Sequence, residues 1–426
     1  MKSIPKYNIL FVHAAIGQFK QLHLNLNESG LANAYTLCAP GVFNAEHKKM
    51  TNLRVFDSVP QRSKDLFFYI TKIDENARKA FGVKNSVEVL LKDVKIDLIV
   101  CHHSGGAPLQ LFDEIDIPII SYIEFPSFRH YGWDAKYPPP EAYRYRDKLF
   151  EMSSMYDVIK ADKTIVPSEY ARTMFPSYLQ HKVVAQMEGF KMKKPTKKVP
   201  IKKVKGTTYI GFTARDLSSC KGFEQFLLIS KDILKQRKNV KFVIIGSPKA
   251  LYSYEGAYLD EVYGKGHGKT FKDYLFEREK IDTEFKDFYE FYDFLPYDEY
   301  DSHLYAIDFF LYPLQFGSAN WGIYEIFCRG KIIIGSERCY VPELISHEID
   351  GFICDYDDIP SWTKTAVDLI DNPKKYAYMK KNIEITSKRF QIENISKEYL
   401  ELFHEVILEH RHPKEEVFHV EKDMIK

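Results

Sequence analysis

Short, near-continuous apolar runs separated by amphipathic segments recur along this chain, and that alternation limits most severely how it can fold. Runs of this kind are strands buried on both faces, and alternating them with helices makes parallel sheets covered on each side. One series opens with residues 8–13 (NILFVH) and continues through ANAYTLCAP, IDLIVCHH, IPIISYIEF and KTIVPS. A second opens with residues 208–213 (TYIGFT) and continues through VKFVIIGS, FYEFYDFL, DFFLYP, KIIIGS and GFICDY. A length of 426 residues exceeds what one core sustains and suits two. The expected fold class is therefore α/β, with two Rossmann-like, doubly wound parallel-sheet domains over residues 1–190 and 207–390. Ligands bind such sheets at the carboxyl ends of the strands, so two of them define a cleft between the two edges.

Residues 191–206 (KMKKPTKKVPIKKVKG) carry eight lysines, two prolines and no acid, which predicts a solvated, extended linker. The same strip is also suited to meeting anionic lipid or a phosphorylated acceptor. Residues 251–270 (LYSYEGAYLDEVYGKGHGKT) read as a long irregular insertion after a strand, a kind that is usually functional or mobile. From about Pro360 onward the pattern predicts two or three amphipathic helices and a charged, frayed end.

Composition excludes more than it selects. Lys and Arg number 60 against 59 Asp and Glu, so no net charge draws the chain to nucleic acid. The six cysteines form no Cys-x-x-Cys pair and several lie in apolar runs, as expected of buried thiols in a reducing compartment. No apolar run reaches the roughly 18 residues of a membrane span, and the amino-terminal stretch is too short for a signal peptide. A cytoplasmic protein is expected, with peripheral contact at the inner membrane face left open.

Two stretches of the second half carry the sharper chemistry. Arg215 and Lys221, in TARDLSSCKGF, flank the passage from a strand end to a helix start, where the helix dipole already favours negative charge. Together they suit a diphosphate, the guanidinium chelating two oxygens. In LYPLQFGSANWGIYEIFCRG, a loop with Gly317, Ser318 and Asn320 leads into a helix near Trp321, placing Glu325 in about its first turn. A carboxylate there can accept two ribose hydroxyls while the helix N-terminus addresses phosphate. Each of these groups also has a plainer role available, as surface charge or dipole complement.

The run TARDLSSCKG, FVIIGS, FLPYDEYDSHLYAIDFFLYP, NWGIYEIFCRGKIIIGS and VPELISHEIDGFICDY resembles the donor-binding half of family 4 (group 1) glycosyltransferases. In the first half, FVHAAIGQFKQL, DLIVCHHSGG, ISYIEF, ADKTIVPSEYARTMFP and VVAQMEGF fall in the order of one branch of that family. The resemblance covers about residues 7–408. It implies the GT-B fold, with residues 391–426 forming a helix that crosses back to the first domain plus a charged tail. It also implies retaining transfer from a nucleotide-activated sugar, with no cofactor or metal. Within it, Arg215 and Lys221 match the cations on the donor diphosphate, and Glu325 matches the second glutamate of Glu-x7-Glu, which binds ribose. Glu343 falls in the loop after the next strand, where the motif also carries a glutamate. Asn320 and Trp321 belong to the same donor-facing turn. One departure is evident: the first glutamate of Glu-x7-Glu falls at Gly317, leaving the residue that steers the sugar unassigned.

In the first half, Gly17 and Gln18 follow the opening strand, where backbone approaches phosphate or sugar closely; Gly17 is assigned to the donor and Gln18 to the acceptor. His102, ending a strand before Ser104-Gly105-Gly106, matches by register a histidine that contacts the transferred sugar in relatives. His102-His103 lacks further ligands at metal-binding spacing, so no zinc site is expected. Glu124 ends another strand at the same edge, and Arg129, Trp133 and Asp134 follow in an aromatic, proline-rich loop suited to an acceptor. The implied partners are a nucleotide-sugar donor and a carbohydrate, lipid-linked or protein acceptor, without nucleic acid. Two other readings stay open: a nucleotide-sugar 2-epimerase (or a phosphorylase) on the same fold, and a non-catalytic subunit that binds nucleotide sugar or a partner's substrate.

Overall fold

The structure, a computed structural model, describes residues 4–39, 47, 50–56, 60–125, 134–191, 201–249 and 253–412. Arg129 and Trp133, most of the lysine-rich linker and the charged tail lie outside the described residues.

Thirteen described strands form two wholly parallel sheets. The first contains β1 (Asn8–Val12), β2 (Asn33–Cys38), β3 (Leu53–Val55), β4 (Leu98–His102), β5 (Ile119–Tyr122), β6 (Lys163–Val166) and β7 (Val183–Ala185). Its order is β3-β2-β1-β4-β5-β6-β7. The second contains β8 (Thr208–Asp216), β9 (Val240–Ser247), β10 (Tyr289–Tyr292), β11 (Phe309–Tyr312), β12 (Ile332–Ser336) and β13 (Phe352–Cys354), in the order β10-β9-β8-β11-β12-β13. Burial explains the near-continuous apolar runs: β4 and β11 are buried at every position. The strand order reverses between β1 and β4 in one sheet and between β8 and β11 in the other. At such a switch point neighbouring connections leave to opposite faces and open a crevice.

Helices cover both faces of each sheet, among them α1 (Phe19–Ser29), α2 (Thr71–Leu91), α3 (Glu141–Lys160), α4 (Phe223–Gln236) and α5 (Trp321–Cys328). The last helix, α6 (Ile392–Arg411), belongs by sequence to the second half but packs into the first. Its Ile395, Tyr399, Phe403 and Ile407 join Tyr7, Ile9, Phe11 and Phe19 in one core, and Tyr7 shares a 2.7 Å hydrogen bond with His404. Burying each such side chain contributes roughly 1.5–3 kcal/mol, so α6 is an integral part of the first domain's core. The chain thus crosses between domains twice, and the crossings run side by side: Phe190 N–H donates to Phe390 O (2.8 Å) and Ile392 N–H to Phe190 O (3.0 Å).

One local reading is corrected and two strand details are added. The 251–270 insertion is not irregular throughout, because residues 255–263 form a helix (Glu255–Tyr263) with Glu255 fully buried. The strand preceding the first crossing ends at Ala185, short of the turn at Glu188-Gly189. Strand β3 carries no long apolar run to announce it; among the described residues it pairs only with β2, at the sheet's edge.

Candidate active site

The turn after β1 is wound tightly against the start of the loop after β4. His13 Nδ1 accepts the Ala15 N–H (2.9 Å), and Ala14 N–H donates to Gly105 O (2.8 Å). Buried Ile16 has φ +62° and Gly17 φ +23°. A β-branched residue rarely adopts that conformation, so the turn is held there by its surroundings. A Cβ at Gly105 lies 3.2 Å from the His13 ring, and one at Gly106 would run into Val12 O. The glycines therefore let the two loops close on each other.

That closure brings His13 and His102 edge to face, with ring centroids 4.3 Å apart. His102 Nδ1 accepts the Gly105 N–H (3.1 Å), so the neutral ring carries its proton on Nε2, a buried atom with no hydrogen-bond partner among the described residues. Burial, then the neighbouring His13, His103 and Lys79, hold His102 well below the ordinary imidazole pKa. Burial likewise lowers His13 to about 4. His103 points elsewhere: its Nδ1 pairs with Asp157 (2.7 Å) and its Nε2 with Ser154 (3.0 Å), a fully satisfied structural histidine. His13 and Lys79 were not singled out from sequence. His13 directly follows β1 at the same edge, which was the available signal. Lys79 reaches Ser104 O (2.6 Å) from a helix distant in sequence and gave none.

From the second domain come Arg215 and Lys221. Arg215 lies at the end of β8 and Lys221 closes the short turn Ser219–Lys221, on either side of the passage into the next helix. Gly222, at φ +79°, then turns the chain into α4; a Cβ there would sit 1.6 Å from Pro313 O, so no other residue fits. Lys221 Nζ donates to Asn320 Oδ1 (2.8 Å), and no side chain caps the N-terminus of α5 at Asn320. At Gly317 a Cβ would lie 3.1 Å from the same Asn320 Oδ1. Asn320, held by Lys221, therefore crowds the position from which a glutamate side chain at 317 would begin.

Glu124, from the end of β5, meets these cations across the cleft. Its Oε2 accepts from Gln18 Nε2 (3.3 Å), and both Lys221 and Arg215 act on it electrostatically. The carboxylate is open to solvent yet ringed by protein, so burial raises its pKa against the pull of the two cations. Gln18, Glu124, Arg215, Lys221 and Asn320 thus come together. With Gly17 and His102 they lie on the facing edges at the two switch points.

Other predicted positions serve different contacts. Glu325 is the fifth residue of α5, in its second turn rather than its first. It is buried, its Oε1 accepts from Tyr297 (2.9 Å), and burial raises its pKa against nearby Arg329. Trp321 donates from Nε1 to Glu188 Oε2 (3.3 Å), reaching the first domain. Glu343 also crosses, accepting the backbone N–H of Glu169 (2.9 Å) and Tyr170 (2.6 Å) at the start of helix Glu169–Thr173. Asp134 accepts from Gln315 (3.0 Å) with that amide turned to satisfy Ser219 O as well. No group of three or more His, Cys, Asp or Glu among the described residues is arranged to hold a metal. No described helix is long and apolar enough to cross a membrane.

Two Rossmann-like parallel sheets meeting over a cleft, with the last helix returned to the first sheet, define a GT-B protein. Residues 41–194 match the family described as glycosyl transferase family 4 group, and residues 193–386 match glycosyl transferases group 1. The chain belongs to the family 4, group 1 glycosyltransferases. Solved structures agree on the fold. Sucrose-phosphate synthase of Thermosynechococcus elongatus superposes with a TM-score of 0.68 at 13% identity, covering 95% of this chain and 100% of that one. The N-terminal domain of Candida albicans trehalose-6-phosphate phosphatase gives 0.67 at 14%, covering 96% and 98%. Anabaena HepE, solved in complex with UDP-glucose, gives 0.62 at 17%, covering 94% and 100%. Comparison with curated protein sequences finds no match.

Proposed function

We propose that this protein transfers a sugar, with retention, from a nucleoside-diphosphate sugar held between its two sheets to an acceptor hydroxyl. The observation that carries the reading is the convergence of Arg215 and Lys221 on the switch-point cleft, opposite Glu124 and the unpartnered Nε2–H of His102. Two cations beside an uncapped helix N-terminus stabilise the charge that grows on a departing diphosphate. A neutral imidazole donating from Nε2 suits a sugar hydroxyl, and its depressed pKa keeps it neutral at physiological pH. The bond from the sugar's anomeric carbon to phosphate breaks, and the acceptor oxygen bonds that carbon from the same face. The acceptor's proton leaves on the diphosphate, so neither a general base nor a metal or cofactor is required. HepE's complex with UDP-glucose makes a uridine donor the first to test. Glu325 is assigned to the ribose, which would displace the Tyr297 hydroxyl, and Glu343 and Trp321 to holding the domains together over the donor.

Calorimetry against UDP, GDP, ADP and CDP and their sugar conjugates tests this. One nucleotide is expected to bind saturably, with affinity falling at least ~10-fold in Arg215→Ala and in Lys221→Ala, the loss of a charge-assisted phosphate contact. Absence of binding by all of them would overturn the donor assignment and favour a non-catalytic subunit. Release of a free 2-epimerised sugar without transfer would favour the epimerase.

A further inference from the structure

A second cavity, of about 990 Å³, opens between the domains beside this cleft. One wall is the start of α2 and α3, with Lys72, Tyr143, Arg146 and Asp147; the other is formed by Lys249 and by residues between 253 and 271. The volume lies at the top of the ~300–1,000 Å³ range of ligand sites, room for a saccharide of more than one ring.

We infer that this cavity binds an anionic saccharide, one bearing phosphate or carboxylate, as the acceptor; the acceptor role rests on the transferase reading above. Four cations line it (Lys72, Arg146, Lys249 and Lys269), with His267, against two carboxylates, Asp147 and Asp260. Asp147 is buried and already answered by Lys72 (2.7 Å), Arg146 (3.0 Å) and the Tyr254 hydroxyl (2.8 Å). Asp260 faces His267 at 3.5 Å, and Lys269 reaches Glu277 at the rim (2.5 Å). The balance left to an incoming group is positive. Half-buried Tyr143 and Tyr254, ring centroids 5.6 Å apart, offer apolar faces to a sugar. The loop Gly264-Lys265-Gly266-His267-Gly268 places glycines at φ +82°, +80° and +72°, although a Cβ at any of them meets open space. The requirement for glycine there is backbone conformation alone.

The insertion is also wired to the donor cations. Buried Glu255 accepts the Ser219 N–H (2.6 Å) in the turn that ends at Lys221, and Ser253 Oγ donates to the same carboxylate. Ser253 lines the cavity, so an occupant sits two hydrogen bonds, through Glu255, from the turn that carries the leaving-group cation.

The test uses the full chain with glucose 6-phosphate and glucuronic acid as probes and glucose as the neutral control. Calorimetry is run on wild type, Lys249→Glu and Lys269→Glu, with nucleotide binding and thermal melting measured on each. An anionic probe is expected to bind, glucose at least ~10-fold more weakly, and the charge reversals to weaken the anionic probe by at least ~10-fold with nucleotide affinity unchanged. With donor present, mass spectrometry is expected to find the sugar on the anionic probe. Equal binding of glucose, no binding of either anion, or unaltered affinity in both variants would overturn the site. Binding without transfer, under donor turnover, would overturn its acceptor role. Nucleotide failing to bind while the anion binds would sink the donor reading and leave the cavity standing.

Discussion

His13 and His102 show how one contact sets the chemistry of a pair. Each ring spends its Nδ1 on a backbone N–H, which commits its proton to Nε2, and burial keeps both neutral. A histidine whose folded pKa lies below the ordinary 6.5 contributes stability that is complete above 6.5 and lost as pH falls toward about 4. Imidazole NMR resonances of His13 are therefore expected not to titrate between pH 7.5 and 5.5, ranges chosen about the ordinary ~6.5 midpoint; a midpoint near 6.5 would contradict the geometry. Asn320 makes a related point about Gly317. Its amide oxygen receives Lys221, and a side chain at 317 would start 3.1 Å from that oxygen. The missing carboxylate and the Asn320–Lys221 link are thus one arrangement.

Among the elements, the entry to α4 is the most constrained. It begins at Gly222, whose left-handed backbone passes so close to the end of β11 that a methyl group has no room beside Pro313 O. Gly222→Ala combines an unfavourable φ with a backbone collision, and is expected to destabilise the second domain by ~3 kcal/mol or more. Chemical denaturation would read this as a lower midpoint, and an unchanged midpoint would mean that the turn relaxes without cost. Since Ser218, Ser219 and Lys221 ride on the same turn, nucleotide binding should weaken with it. The amphipathic pattern of α4 and the three carboxy-terminal helices were legible in sequence, because a helix burying one face writes that face every three to four residues. The helix of residues 255–263 was missed: it buries only Glu255 and Leu259, so its pattern is faint.

For the molecule, the cleft is built by contacts that join the domains. Glu343 seats on the start of Glu169–Thr173, Trp321 on Glu188, and Met174 of one domain packs with Cys220 and Phe316 of the other. Glu188 is a member that responds to pH. Burial pushes its carboxyl up to about 7, against hydrogen bonds from Tyr122 and Trp321. A carboxyl raised from 4.5 supplies stability that is complete below 4.5 and lost as pH rises through about 7. Tryptophan fluorescence is expected to titrate with a midpoint near 7 as the Trp321 contact changes, and Glu188→Gln to abolish that transition. A midpoint near 4.5 would place Glu188 in water, not at the crossing.

The sequence alone determined two parallel α/β domains, their strand series, and the segments in which Arg215, Lys221, Glu124 and His102 lie. Periodicity and motif are local properties, recorded residue by residue wherever a face must be buried or a turn must be made. Which of these groups meet was decided only by the tertiary structure. The two sheets present their switch points to each other because the chain crosses twice and α6 is spent on the first core. Glu124 thereby faces cations some ninety residues away, while Trp321 and Glu343 reach the opposite domain. Contacts between distant segments depend on packing both domains at once, and no window of sequence contains that information.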